Sequence, residues 1–470
     1  MPVNVKSTGI RGCRAIFLAA LSAICLYAQT AQPLTLKNSI ELAIGKSEKL
    51  SAANEAVNMA KGKKTEARGK MLPSISLSGG YTRINDDLEI DMNEIRSAMI
   101  YLHSSPPTGI GTIPSQMLEA GLPSFTKRMQ NESFWNATAQ AQWTIFAGGR
   151  LWSGYKAATN EEITAEARKN TVQGEVAKET AMRYFNCKLA ESVKDVQEQN
   201  LQTISQHFEN TKKLEEAGQI ALAERLRAEV ALAEAKRNLE DAKRNAGLAK
   251  LALSNSIKSD TNFTLEFSWK KLDAPAEPQV FTEKILSKNP LLQQIKSEEN
   301  RALSGLSANR GEWMPAIAAF GMRELYTNDL TLLQPAWAVG IKAEWNLFSG
   351  GTTLGKYQTS KAQARSLNYL QGQAKRDLEL LAEKYLREWN SANEKLESLE
   401  KTEDLAQESL RAQTKAYAAG MATGLDVIDA QFALSRVALA KYASYYEAYS
   451  AIISLQELSG EAETLGELLK

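Results

Sequence analysis

The sequence predicts a mostly helical fold with membrane β-structure: a duplicated unit of long coiled-coil helices, with four β-strands per chain. Three observations predict it. Two pairs of matching segments keep one spacing, two long stretches lack proline, and two short stretches alternate apolar and polar residues between paired tryptophans.

Duplication fixes the architecture. WTIFAGGR at Trp143 to Arg150 recurs as WNLFSGGT at Trp345 to Thr352, 202 positions later. AGQIALAERLRAEVALAEA begins at Ala217 and AGMATGLDVIDAQFALSRV at Ala419, again 202 apart. An earlier landmark, Pro73 in MLPSISLSGGY, returns as Pro315 in WMPAIAAFGMR, 242 apart. The first copy therefore carries 40 extra residues, which fall in 85–132, a proline-rich stretch that reads as a long loop with a short helix near Glu89 to Tyr101.

Each copy reads as helix, two strands, long helix, turn and return helix. No proline occurs from 124 to 274 or from 336 to 470. A proline inside a helix costs about 3 kcal/mol, so such gaps suit unbroken helices. The first repeat, 29–257, holds a helix over 36–71, strands 74–84 and 133–147, and a helical hairpin over 150–257. The second, 281–460, holds a helix over 281–312, strands 315–326 and 335–348, and a hairpin over 352–459. Residues 258–280 link the copies, and 461–470 form a tail. Helices of about 66 residues would run roughly 100 Å, more than a compact domain needs. From Ile428 to Ile453 the spacing alternates four and three, a coiled-coil seam with Ser435 its weak position.

The strands carry the membrane signal. Trp135, Ala137, Ala139, Ala141, Trp143 and Ile145 share one face, against Asn136, Thr138, Gln140, Gln142 and Thr144. Trp337, Val339, Ile341, Ala343, Trp345 and Leu347 repeat the pattern. Each tryptophan pair is eight residues apart, about 27 Å along a strand, close to the apolar band between the aromatic girdles of a membrane barrel. A soluble sheet with one face on a core is the competing reading. The strand after Pro73 fits moderately; the one after Pro315 fits poorly, because Phe320 and Met322 oppose Ile317 and Arg323. Four strands cannot close a barrel, and lipid does not tolerate open edges, so several chains must contribute.

Bulk properties agree. Lys plus Arg number 56 and Asp plus Glu 55, so no net field points to nucleic acid. Residues 1–28 read as a signal peptide: Lys6, Arg11 and Arg14, then an apolar run from Ala15 to Tyr27 too short to span. Cys25 raises a lipid-attachment reading, which bulky Ile24 disfavours. A cytoplasmic protein with an apolar start is the other alternative. Beyond the signal only Cys187 remains, so no disulfide within the mature chain is available; it reads as a packing residue.

The paired W-x-x-F-x-G-G segments and YAAGMATGLDVIDAQ at Tyr417 to Gln431 resemble the TolC-like outer-membrane efflux protein family, from about 34 to 460. The resemblance implies a homotrimer: a twelve-stranded barrel in the outer membrane of a Gram-negative bacterium, on a twelve-helix periplasmic tunnel. It implies partners in an inner-membrane pump and a periplasmic adaptor, in tripartite efflux or type I secretion, and no cofactor. Asp426 and Asp429, three apart on a helix, match the family's entrance aspartates and would ring the pore in a trimer. The competing reading has Asp426 only capping the helix that follows Gly424. Glu224 and Tyr417 match further gating positions, whereas Ala422 stands where an arginine latch occurs, so the latch here must differ or be weaker. Gly218, Gly420, Gly424 and Leu425 are the candidate adaptor contacts. Gly148, Gly149, Gly350 and Gly351 sit where strands must swing into helices.

Other functions fit less well. The two histidines, His103 and His207, form no ligand cluster, and no phosphate loop or nucleophile elbow is present, so no enzyme is expected. A periplasmic adaptor protein is the alternative, but it would carry one hairpin without girdled strands.

Overall fold

The computed structural model describes residues 32–104, 113–272, 278–331, 334–461 and 465. The expected signal 1–28 lies outside them. The described helices are α1 Leu36–Lys46, α2 Glu48–Gly69, α3 Asn93–Ser104, α4 Ser115–Gly121, α5 Arg150–Glu216, α6 Leu222–Ile257, α7 Pro278–Lys288, α8 Pro290–Gly311, α9 Thr352–Ala418 and α10 Gly424–Leu458. The strands are β1 Gln32–Leu34, β2 Ser74–Arg83, β3 Leu88–Asp91, β4 Thr126–Gln130, β5 Ser133–Ala147, β6 Phe263–Leu265, β7 Ala316–Glu324 and β8 Trp337–Glu344.

The duplication is visible element by element. α5 and α9 are both 67 residues long and begin 202 positions apart. α1 and α2 return as α7 and α8, of 11 and 22 residues in both copies, 242 positions later. The helices expected over 36–71 and 281–312 are each two helices, and the breaks are equivalent. Ser47 leaves helical geometry, and its Oγ accepts from the Leu50 N–H at 3.2 Å. Asn289 does the same in the second copy, its Oδ1 accepting from Leu291 and Leu292 at 2.9 and 3.3 Å. Side-chain acceptors at both sites start a new helix, and Pro290 follows at a position where a missing N–H is harmless.

Two compact units emerge, and they cut across the repeats. One combines described residues up to Asn58 with Ile163–Lys296 and those from Tyr369 onward; the other combines Met59–Glu162 with Ser297–Asn368. Each draws on both copies, because neither copy buries its apolar residues alone.

In the first unit the largest cluster gathers Val176, Ala177, Ala181, Tyr184 and Phe185 of α5, Leu253 and Ile257 of α6, and Tyr445, Tyr449 and Ile453 of α10. Fully buried alanines at 177 and 181 let helices approach closely. The linker is structural: β6 pairs in parallel with β1, and Phe267 and Trp269 enter the aromatic cluster beside Phe185 and Tyr449. The Tyr184 hydroxyl donates to the carbonyls of Leu34 and Glu266 at 3.1 and 3.3 Å, tying both short strands to α5. Cys187 is fully buried there, and burial pushes its thiol up to about 12, so it is an inert packing residue. Leu465 is buried in the same cluster. The α10 seam runs through Ala438 and Tyr445, while Leu439 and Tyr446 are only half-buried. Ser435 is buried, and the Gln431 amide donates to it at 3.4 Å and to Asn200 at 3.0 Å, so the weak position holds a polar layer.

The second unit holds an antiparallel sheet in the order β2-β5-β7-β8. Within the 85–132 stretch, β3 and β4 pair antiparallel on either side of α3 and α4 in the sequence, where only one short helix was expected. The Asp91 carboxylate accepts from the Asn93 N–H at 2.7 Å, which explains why α3 starts there. β8 ends at Glu344, short of the expected 348.

Candidate functional site

The sheet register sorts its residues into two faces. Ile75 lies opposite Ala141, Leu77 opposite Ala139 and Tyr81 opposite Trp135, all apolar. Ser76 lies opposite Gln140 and Ser78 opposite Thr138 on the other face. β8 continues the apolar face, with Val339 opposite Gly321 and Ile341 opposite Ala319. Ile75, Leu77, Val339 and Ile341 are each more than 70% exposed, so this face needs an apolar cover that the described residues do not supply.

The poor fit after Pro315 has a cause. Phe320 and Met322 lie on the polar face, opposite Gln142 and Gln140. A Cβ on Gly340 would sit 2.8 Å from the Phe320 ring, so the ring lies over a gap that only glycine leaves. One assignment is corrected. A bulge makes Ile145 the extra residue, and Phe146 takes the slot opposite Ile317. Bulges bend a strand and re-aim its side chains.

All four girdle tryptophans are exposed: Trp135, Trp143, Trp337 and Trp345. Two carry a contact that the sequence did not reveal. The Trp143 indole N–H donates to the Met71 carbonyl at 3.0 Å, and the Trp345 indole to the Trp313 carbonyl at 3.1 Å. Both acceptors lie just past the ends of α2 and α8. Each ring thus keeps an apolar body outward and ties its polar edge to the turn beneath.

The strand-to-helix corners need glycine. Gly148, Gly149, Gly350 and Gly351 have φ values of 62°, 76°, 61° and 84°. A Cβ on Gly148 would lie 2.3 Å from the Gly311 carbonyl oxygen, and one on Gly311 only 2.1 Å from the Gly148 oxygen. The first corner is therefore packed backbone to backbone against the end of α8.

At the helical turns, Gly218 and Gly420 have φ values of 69° and 74°. Gly218 N–H donates to Glu215 and Gln219 N–H to Leu214, both at 2.8 Å. Gly420 and Met421 repeat this onto Tyr417 and Ala416 at 3.0 and 2.8 Å. These are matching Schellman closures, which explains both glycines without a partner.

Beside the turns the structure assembles a polar pocket around a residue the sequence reading left unused. His207 of α5 is buried, its ring 5.1 Å from that of Tyr417. Thr211 Oγ1 lies 3.4 Å from the Tyr417 hydroxyl. His207 Nε2 and Glu224 Oε2 are buried without hydrogen-bond partners. A Cβ on Gly424 would lie 3.2 Å from that Glu224 oxygen and 3.3 Å from His207 Nε2. Gly424, expected as an adaptor contact, is buried against these groups, and a side chain there would press on both. Leu425 is exposed. The pocket joins both hairpins of the chain: α5 and α6 with α9 and α10. No sequence signal marked His207, because its neighbours come from three other helices.

Asp426 and Asp429 are both exposed. Asp426 closes a capping box: its Oδ2 accepts from the Thr423 N–H and hydroxyl, each at 2.7 Å, and the Thr423 hydroxyl accepts from the Asp426 N–H at 3.3 Å. The Thr423 hydroxyl and N–H hold its carboxyl below the usual range. Capping leaves its charge on the surface, so it is compatible with a pore role.

Known proteins place this architecture. The outer membrane efflux protein family matches residues 39–257 and 282–461, one segment per repeat. The chain belongs to that family. Among curated proteins, none matches the chain. The CmeC outer membrane channel of Campylobacter jejuni is 14% identical over 91% of this chain and 86% of its own, with a TM-score of 0.73. VceC, an outer membrane protein of Vibrio cholerae, is 16% identical over 90% and 96%, with a TM-score of 0.70. The open MtrE outer membrane channel of Neisseria gonorrhoeae is 17% identical over 93% and 89%, with a TM-score of 0.68. At such identities the likeness speaks for the fold. As a member of the outer membrane efflux family, the chain is an outer-membrane channel component of an efflux system, and the adaptor alternative has no support. The family assembles as oligomers with adaptor and pump partners, and it is a channel family rather than an enzyme family.

The His207 pocket predicts a pH response. Burial holds the His207 imidazole below its usual value, outweighing the opposite pull of Glu224 and the Gly424 backbone. A conformation that exposes His207 would bind a proton more readily than the packed one. The packed pocket is thus fully favoured above the ordinary histidine value of 6.5 and weakens as pH falls through and below it. We expect open probability in planar bilayers to rise between about pH 7.5 and about pH 5.5. His207→Gln should flatten that response; an unchanged slope in the variant would remove His207 as the sensor.

Proposed function

We propose that three copies of this chain close a twelve-stranded barrel in the outer membrane of a Gram-negative bacterium. The helical hairpins of both repeats from each copy form the tunnel wall in the periplasm. The observation that carries this reading is the exposed, mainly apolar face of the sheet, bounded by tryptophans and running across the four strands, with Arg323 of β7 a charged residue on it between Ala139 and Trp337. In water such a face would drive aggregation; in a bilayer it is the required outer surface. Four strands leave two edges, and only closure with other chains satisfies them in lipid.

The channel conducts passively. A partner pump drives substrate in at the helical turns, through the tunnel and out of the barrel, in efflux or type I secretion. The exposed turns around Gly218, Gly420 and Leu425 meet a periplasmic adaptor. Leu222 and Met421, both exposed there, supply apolar contact. Asp426 and Asp429 ring the entrance, while Tyr417 and Glu224 act with His207 in holding the hairpins together.

Extraction with detergent tests the assembly. An oligomer of three chains that resists mild detergent and falls apart on heating, found in outer-membrane fractions, supports the reading; a soluble monomer refutes it. The entrance is tested separately. Asp426→Ala with Asp429→Ala is expected to relieve block by divalent cations at least tenfold in bilayers, since a ring of carboxylates concentrates cations. Unchanged block would take both residues out of the pore. Because Asp426 also caps α10, Asp429→Ala alone separates pore charge from helix stability.

A further inference from the structure

The duplication lets the two strand-to-helix corners be compared residue by residue, and they differ in charge. At the second corner, the Tyr357 ring of α9 lies 5.6 Å from that of Trp313, at 61°. The Arg310 guanidinium lies 5.5 Å and the Lys361 ammonium 5.9 Å from its centroid. Arg310 also donates to the Tyr357 hydroxyl at 3.5 Å. That bond, and then the charges of Arg310, Lys361 and Arg365, hold the phenol below its usual value. Three cations therefore act on one spot. All three are exposed, and none meets a carboxylate among the described residues. Glu312, the acid nearest in sequence to Arg310, is taken by Lys356 at 2.8 and 3.1 Å.

The first repeat shows what the second has changed. Tyr357 corresponds to Tyr155, and Arg310 to Arg68. In the first repeat Glu161 and Glu162 pair with Lys63 and Lys64 at 2.6 and 2.8 Å, which neutralises the corner. The second repeat has Gln363 and Ala364 in place of those acids, and Lys361 and Arg365 in place of Thr159 and Ile163. It thus loses two acids and gains two cations on the same scaffold. Like charges four apart on a helix destabilise it, so this pair calls for an anion that the described residues do not supply.

The cluster lies directly beneath the girdle. The Trp345 indole is bonded to the Trp313 carbonyl, and the Trp313 ring packs on Tyr357. Side chains on a helix lean towards its N-terminus, which for α9 is the end at the sheet. Lys361 and Arg365 therefore lean towards the corner. Leu354, 53% exposed, lies seven residues before Lys361, on the same face of α9 and nearer the sheet. Apolar, aromatic and cationic groups thus follow one another away from the sheet.

We propose that Arg310, Lys361 and Arg365 bind the phosphate of an anionic phospholipid in the leaflet facing the helices, with Leu354 and Trp313 against its acyl chains. Guanidinium and ammonium groups donate charge-assisted hydrogen bonds to phosphate oxygens. A headgroup with its own ammonium would bring a further cation to a site without carboxylates. Phosphatidylglycerol therefore fits, and phosphatidylethanolamine does not. The inference rests on the membrane barrel proposed above and adds one lipid site per chain, at the second repeat alone.

Native mass spectrometry tests it, on the full chain released by detergent from bilayers of equal phosphatidylglycerol and phosphatidylethanolamine. Phosphatidylglycerol is expected to be retained about tenfold over phosphatidylethanolamine, the order that two cations near an anionic lipid give. Lys361→Gln with Arg365→Gln should abolish the preference; both residues are exposed, so the fold is kept. Lys63→Gln with Lys64→Gln, at the first corner, should preserve it. Equal retention of both lipids by the unmodified protein, or a preference that survives in the Lys361 and Arg365 variant, overturns the site. Loss of the preference in the Lys63 and Lys64 variant would make it a general surface-charge effect and overturn it too. Adding millimolar inorganic phosphate separates the sources. The lipid is expected to stay, held by its acyl chains, and its full displacement would make this a free-anion site. A chain that enters no bilayer overturns the barrel reading itself.

Discussion

Ala139→Arg is expected to strip the protein from the outer membrane, and Gln140→Arg to leave it there. Ala139 lies midway between Trp135 and Trp143 on the apolar face, opposite Leu77 of β2 and Arg323 of β7, so the variant sets a second arginine beside one already there. If the tryptophans mark the two interfaces, Ala139 sits near the bilayer midplane. Arginine there costs about 2–4 kcal/mol per chain, and the cost falls towards the interfaces. Gln140 is its immediate neighbour, opposite Ser76 on the polar face. The same charge one residue along the strand should meet water. The measurement is the amount of heat-dissociable oligomer in outer-membrane fractions. Equal loss, or equal tolerance, would mean that the sheet does not have one face in hydrocarbon. The Trp135 position is a useful third point, because Trp135→Arg at the girdle should cost about 0–1 kcal/mol.

The second large effect is at the first strand-to-helix corner. Gly148→Ala should destabilise by about 2–5 kcal/mol, adding a left-handed backbone penalty to overpacking. Its φ is 62°, and the new Cβ would lie 2.3 Å from a backbone oxygen that cannot rotate away. Gly311→Ala meets the same obstacle from the other side without the φ penalty, so about 1–3 kcal/mol is expected. Gly247→Ala in α6 has open space around it and should be neutral or stabilising by up to about 1 kcal/mol. Thermal unfolding of the purified protein orders the three. Gly311→Ala as mild as Gly247→Ala would show that the close approach carries no energy.

The His207 pocket joins the two hairpins of the chain near the position where the family resemblance implies an arginine. Ala422 offers no charge to a latch. The structure instead joins the hairpins through a buried histidine, a tyrosine and a glutamate, seated against a glycine. Such a junction is expected to respond to protons more than to ionic strength, unlike a surface ion pair. Asp426 shows the limit of motif matching. The residue sits in a capping box, so an effect of its removal on helix stability has to be separated from the proposed effect on the pore.

What the sequence determined by itself is the part carried by periodicity. The 202 and 242 offsets, the proline-free stretches and the alternation around Trp135 to Trp143 are local repeats, and each reappears in the elements that form. Glycines at the corners and turns were legible for the same reason: a positive φ is a property of one residue. Only the tertiary structure decided the rest. Ser47 and Asn289 break helices through single side-chain acceptors, too weak a signal within helix-forming sequence. Phe320 looked misplaced until Gly340 was found beneath its ring. β8 stopped at Glu344 although the sequence continues its pattern, because a strand exists only where a neighbour accepts and donates its hydrogen bonds. His207 became a site residue through Glu224, Tyr417 and Gly424, brought together from helices far apart in the chain. Pattern along a chain fixes which backbone geometry each segment favours; which segments meet is set by burial, and burial belongs to the whole.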